Sequence, residues 1–119
     1  DESDLSAVYW VEEHVQNATV LANPEVSGTI NTIAPENDIR TEFDLFLECI
    51  PDSKRWEDAY FALKTEDPAE AMAILKKYKI EYVIVGERDV WNYGFETEKF
   101  KNLSEKVYVL GASKIYKIR

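Results

Sequence analysis

The clearest change of hydrophobic period in the chain lies between Asp67 and Gly86, DPAEAMAILKKYKIEYVIVG. Ala71, Ile74, Leu75 and Tyr78 recur at helical spacing. Asp67 reads as an N-cap, Pro68 as the first helical residue, and Glu70 as an acid placed to reach back in a capping box. Lys76, Lys77 and Lys79 follow near the helix C-terminus, where the dipole favours cations. The period then collapses to a short apolar run, Ile80 to Val85, ended by Gly86. A run that is apolar on both faces predicts a central strand covered on both sides.

The rest of the chain divides in the same way. Ser3 or Asp4 caps a helix reaching about Gln16, with Leu5, Val8, Tyr9, Val11 and Val15 as its apolar stripe. Ala18–Ala22 reads as a buried strand. Asn23-Pro24-Glu25 turns the chain and Ser27-Gly28 loosens it. The stretch 28–34 fits a strand or a short helix equally. Ile39–Phe46 reads as an edge strand. Trp56, Tyr60, Phe61 and Leu63 predict a helix from Ser53 to Lys64, and Glu96–Leu103 one or two helical turns. Lys106–Leu110 and Lys114–Ile118 are strand-like, with Gly111-Ala112-Ser113 as a hairpin turn.

These elements predict one α/β domain over residues 1–119, a small Rossmann-like layered domain. Its sheet is largely parallel through Ala18–Ala22, Ile80–Val85 and Lys106–Leu110, and it ends in a C-terminal antiparallel hairpin with Ser113–Ile118 at the edge. The alternative is an α+β fold with a mainly antiparallel sheet.

Composition narrows the function. With 45% apolar and 13% aromatic residues the chain can build a core. Its 14 basic and 23 acidic residues leave a net charge of −9, which argues against nucleic acid and against adsorption to anionic lipid. Cys49 stands alone, so neither an internal disulfide nor a cysteine-based zinc site is expected. No apolar run approaches the roughly 20 residues of a membrane span. The chain opens at Asp1 inside a helix entry, as a domain excised from a larger protein would.

Catalytic motifs are missing. There is no G-x-S-x-G, P-loop, G-x-G-x-x-G or calcium-loop pattern. His14 sits late in its helix beside Glu13, which points elsewhere, so a structural role is expected rather than a metal or catalytic one. No catalytic residue, metal or cofactor is expected. Open α/β sheets bind ligands beyond the carboxyl ends of their strands. There the densest polar-aromatic group is Glu87, Arg88, Asp89, Trp91 and Tyr93. A guanidinium with carboxylates and two rings suits a sugar or phosphate group; the same loop could equally pair Arg88 with a neighbouring acid and cover the sheet end. Arg55-Trp56-Glu57-Asp58 is a similar cluster, whose acids, near a helix N-terminus, are read as helix-dipole partners rather than ligands. Asn17-Ala18-Thr19 and Asn102-Leu103-Ser104 are glycan acceptor triplets if the domain faces the outside of a cell.

The segment Leu75 to Arg88, LKKYKIEYVIVGER, resembles one found in polytopic membrane proteins, many of them archaeal. These are similar to C-type glycosyltransferases that use lipid-phosphate sugars, including dolichyl-phosphate-mannose mannosyltransferase-like and oligosaccharyltransferase-like proteins. The ending resembles them too, with Lys99-Phe100, Val107-Tyr108-Val109 and Ile115-Tyr116-Lys117-Ile118. So does the opening, where Tyr9-Trp10-Val11-Glu12-Glu13 precedes Asn17-Ala18-Thr19-Val20-Leu21-Ala22. The W-W-D-Y-G signature of oligosaccharyltransferases is missing, and Asn23-Pro24-Glu25 stands where it would be sought. That departure counts against a peptide-acceptor role.

The resemblance implies a non-catalytic soluble accessory domain following the membrane helices of a parent chain, on the extracytoplasmic side. It would contact acceptor, glycan, lipid-linked sugar or a partner, while the catalytic acids lie in the parent's membrane-proximal loops. The competing reading is a free-standing cytoplasmic binding or regulatory module for a small anionic or sugar ligand.

Overall fold

A computed structural model describes residues 2–42, 53–86, 89 and 94–119. The chain runs α1 (Glu2–His14), β1 (Ala18–Leu21), α2 (Pro24–Ile33), β2 (Ile39–Glu42), α3 (Ser53–Lys64), α4 (Pro68–Lys77), β3 (Ile80–Val85), α5 (Phe100–Leu103), β4 (Ser104–Leu110) and β5 (Ser113–Ile118).

Helix α1 buries Ala7, Val8 and Val11, and Val15 just past its end continues the same face. Leu5 and Tyr9, expected in that stripe, are instead 42% and 48% exposed. Small Ala7 takes the inner position and lets the helix lie close to the sheet. Ser3 and Asp4, expected as caps, stand inside the first turn. At the other end His14 Nδ1–H donates to Trp10 O at 2.9 Å and its ring stacks on Trp10. The Asn37 amide closes the last turn, donating to Glu12 O at 2.7 Å and Val15 O at 3.0 Å. Asn17 then reverses the chain at φ 50°, a left-handed conformation asparagine tolerates.

The Asn23-Pro24-Glu25 turn and the loosened Ser27-Gly28 are corrected by the structure, which places helix α2 there. Asn23 Oδ1 accepts from Val26 N–H at 2.8 Å and Pro24 opens the helix, so the turn-forming residues are a helix start. The undecided stretch 28–34 is the body of α2. Strand β2 pairs in parallel with β1 at the sheet edge, and residues 43–50 lie outside those described, as does Cys49.

Helix α4 keeps its expected cap: Asp67 Oδ1 accepts from Ala69 N–H at 2.9 Å. The Asp67 N–H donates to the Thr65 hydroxyl at 3.1 Å, so it is Thr65 that fills the place expected of Glu70. Helix α3 matches its expected span and buries Ala59, Ala62 and Leu63, while Phe61, expected inside, is exposed.

The five strands order as β2-β1-β3-β5-β4. β2, β1 and β3 are parallel; β5 runs antiparallel to both β3 and β4. The expected α/β class, parallel centre and C-terminal hairpin are all present, but Ser113–Ile118 is not the edge. It lies between β3 and β4 because its side chains feed both cores, Ile115 on one face and Tyr116 and Ile118 on the other. β4 leaves Val109 and Leu110 exposed and takes the edge. Gly111, at φ 59°, makes the turn that joins Leu110 to Ser113.

Two apolar layers cover the sheet. Ala18, Val20, Ala22 and Ile84 pack with α1 and α2, while Leu21, Val83 and Val85 pack with α3, α4 and Phe100. Central strand β3 therefore has a covered side on each face, as its apolar run implies. The β1–β3 pairing slips by one residue, Thr19 facing Ile80 and Val20 facing Tyr82, so Glu81 is an extra residue turned out at the start of β3.

Candidate functional site

β1 connects to β2 through α2 on one face, and β2 returns to β3 through α3 and α4 on the other. The topological switch point thus lies between β1 and β3, where α/β folds place ligands. Asn23 follows β1 there, and Gly86 and Asp89 follow β3.

Asp89 belongs to the predicted polar-aromatic group, and it points inward. It is fully buried. Its Oδ1 accepts from Asn23 Nδ2 at 2.7 Å and its Oδ2 from Gly86 N–H at 2.6 Å. Its own N–H donates to Gly86 O at 3.2 Å and its carbonyl accepts from Phe95 N–H. One carboxyl therefore ties the exits of β1 and β3 together. Since a carboxylate only accepts, it also fixes the Asn23 amide, whose oxygen caps α2. Glu87, Arg88, Trp91 and Tyr93, the remaining predicted ligand residues, lie outside the described residues.

Asp4 approaches from α1. A Cβ on Gly86 would meet Asp4 Oδ1 at 2.7 Å, so a larger residue here would displace the Asp4 carboxylate. The Ser113 hydroxyl donates to Asp4 Oδ1 at 2.5 Å and lies 2.8 Å from Ser3 Oγ. Burial raises the Asp89 pKa; the bonds from Gly86 and Asn23 oppose that, and the Asp4 and Glu25 charges add to it. The described part of this end is thus acidic and closed by its own hydrogen bonds. Asp4, Asn23 and Asp89 each bond to protein groups there.

Among the described residues no three His, Cys, Asp or Glu come together to hold a metal ion. Among them, too, no helix is long and apolar enough to cross a membrane. Asn17 and Asn102 are both exposed, while the hydroxyl residues of their triplets, Thr19 and Ser104, are buried. The Asn17 amide oxygen accepts from Arg40 Nη1 at 3.2 Å.

In two charged arrangements the fold supplies partners that the sequence reading did not join. Asp58 accepts from Tyr78 OH at 2.6 Å and pairs with Lys54 at 3.0 Å and Lys77 at 3.3 Å. The Tyr78 and Lys54 hydrogen bonds hold its pKa at about 2. Lys99 has no exposed side-chain surface; its Nζ donates to Leu63 O at 2.8 Å and to Glu96 O, tying the end of α3 to the segment before α5. Burial pushes its pKa down to about 8, partly offset by the Glu96 charge. A lone Lys before Phe100 carries no sign of this in the sequence, because only the fold places the two carbonyls around it.

No protein-family model and no curated protein matches the sequence. Among solved structures, the chain is similar to the C-terminal globular domain of an oligosaccharyltransferase from Archaeoglobus fulgidus. The TM-score is 0.67 at 15% identity, covering 96% of this chain and 95% of that one. The two share a fold from end to end, and that fold belongs to a protein of the group the sequence resembles.

Proposed function

We propose that this chain is a non-catalytic accessory domain of a membrane-embedded, glycosyltransferase-like parent protein. One observation carries the reading: the fold agrees over almost the whole of both chains with a domain that is itself the globular C-terminal part of an oligosaccharyltransferase. The architecture supports a supporting role rather than a chemical one. Among the described residues at its switch point, where an α/β enzyme would place reacting groups, Asn23, Asp89 and Gly86 are bonded to one another. The domain then acts outside the cytoplasm, beside the parent's catalytic loops, in contact with acceptor, glycan or a partner. Glu87, Arg88, Trp91 and Tyr93 remain the residues proposed for that contact, with Asp89 itself anchored to Asn23 and Gly86.

Transfer assays with a lipid-phosphate sugar donor test this. The isolated domain is expected to show no turnover, and the full parent chain is expected to lose transfer when this domain is deleted. Turnover by the isolated domain, abolished by one point substitution within it, would refute the accessory role. A second reading, a free-standing binding module, draws on a different feature at the opposite end of the sheet.

A further inference from the structure

The amino ends of the three parallel strands meet in register: Thr19 of β1 lies beside Arg40 of β2 and Ile80 of β3. The N-terminus of α3 and the C-terminus of α4 close over them, leaving a cleft of about 360 Å³. We propose that this cleft is an anion site that binds a phosphate group, as a sugar phosphate or a lipid headgroup. The inference does not depend on the accessory-domain reading.

The cleft is basic in an acidic protein. Among the described residues that line it, Arg40, Arg55, Lys77 and Lys79 stand against one acid, Glu81. They come from β2, α3, α4 and the turn before β3, so only the fold brings them together. The acids beside Lys77 and Arg40 do not cancel them. Asp58 holds Lys77 but is matched by Lys54 as well, and Asp38 stands 3.7 Å from Arg40 with both side chains open to water. The two helix ends carry opposite partial charges and offset each other.

The cations are also positioned. Arg40 Nε donates to Thr19 Oγ1 at 3.2 Å and Nη1 to Asn17 Oδ1 at 3.2 Å, holding the guanidinium at the cleft. The Arg55 guanidinium lies 5.0 Å from the Tyr78 ring centroid at the cleft wall, and bidentate recognition of phosphate is its characteristic chemistry. Lys79 sits at φ 56°, a left-handed conformation that a glycine would adopt without strain. The chain keeps an exposed cation where glycine is the easier residue, a local conflict of the kind found at functional sites.

Amide chemical shifts test the site at low ionic strength, with mannose 1-phosphate, inorganic phosphate and free mannose, alongside co-sedimentation with phosphatidylglycerol vesicles. Millimolar phosphate or mannose 1-phosphate is expected to shift Thr19, Arg40, Tyr78 and Lys79 saturably, with mannose alone inert. Added salt should weaken binding. Binding to vesicles alone would assign the phosphate to a lipid. Arg40→Gln is expected to weaken binding at least tenfold. Lys79→Gly removes the charge and the strain together, so it should keep or raise the melting temperature while weakening binding. Loss of binding with retained folding therefore separates the site from stability. No binding to any phosphate probe, equal shifts with mannose, or binding unchanged in Lys79→Gly and Arg40→Gln would overturn the proposal.

Discussion

The tie between Asn23 and Asp89 makes a prediction in which two damaging substitutions repair each other. Asp89→Asn keeps an oxygen for Gly86 N–H but turns an NH2 group toward the Asn23 amide. Asn23 cannot flip, because its oxygen caps α2. The variant loses a hydrogen bond to a carboxyl acceptor and opposes two buried donors, a cost of about 2–4 kcal/mol. Asn23→Asp keeps the cap but sets two carboxyls 2.7 Å apart, with a similar cost at neutral pH that is relieved as one of them is protonated in acid. Combining the two substitutions restores every bond with donor and acceptor exchanged. The carboxylate introduced at position 23 accepts from Val26 N–H and from the amide introduced at position 89, and the oxygen of that amide accepts from Gly86 N–H. Urea denaturation measures the cycle. With a slope of about 1.5 kcal/mol per molar, each single variant should lower the midpoint by about 1.3–2.7 M. The double variant should recover most of the loss, so the coupling approaches the sum of the two single losses, about 4–8 kcal/mol. Additive losses, or a neutral Asp89→Asn, would refute the geometry assigned to this end of the sheet.

Three further outcomes follow from the core and the charged clusters. Val83→Asp or Ile84→Asp should prevent cooperative folding, since an unpaired buried charge costs several kcal/mol against a total of roughly 5–15; a soluble variant with a sharp thermal transition would show that β3 is not covered on both faces. Lys99 has a folded pKa of about 8, below its unfolded value, so the unfolded chain binds the extra proton and stability rises as pH climbs from about 8 toward 10.4. The wild-type-minus-Lys99→Met stability difference should rise across that window, and a flat difference would contradict the burial of its charge. Tyr78→Phe removes the shortest bond to Asp58 and should raise its carboxyl pKa from about 2, read from side-chain carbon shifts; an unmoved value would mean that the lysines alone hold it.

How much of this was legible depended on whether the signal was local. The cap at Asp67, Pro68 at the helix start and the apolar Ile80–Val85 run are each decided by neighbours in sequence, and all stand in the structure. Asn23-Pro24-Glu25 carried a helix-start pattern as well as a turn pattern, and Gly28 obscured it. The order of β4 and β5 could not be read, because the two strands have similar apolar content and only pairing with β3 decides which is interior. Sequence pointed to the carboxyl end of β3, where Asp89 meets Gly86 and Asn23. That Asp89 faces inward depends on Asn23, 66 positions away. Arg40 and Lys79 each had an adequate local explanation in strand edge and helix end, and Arg55 stood in a cluster read through its acids. Their convergence is a property of the crossover alone.

The central claim is that this domain works as part of a larger membrane-embedded chain, and fractionation of the source cells with an antibody against the domain tests it most directly. The account predicts a band far larger than 13.8 kDa that stays in carbonate-washed membranes, with its epitope removed by protease added outside intact cells. A 13.8-kDa species in the cytosolic fraction, untouched by external protease, would contradict it.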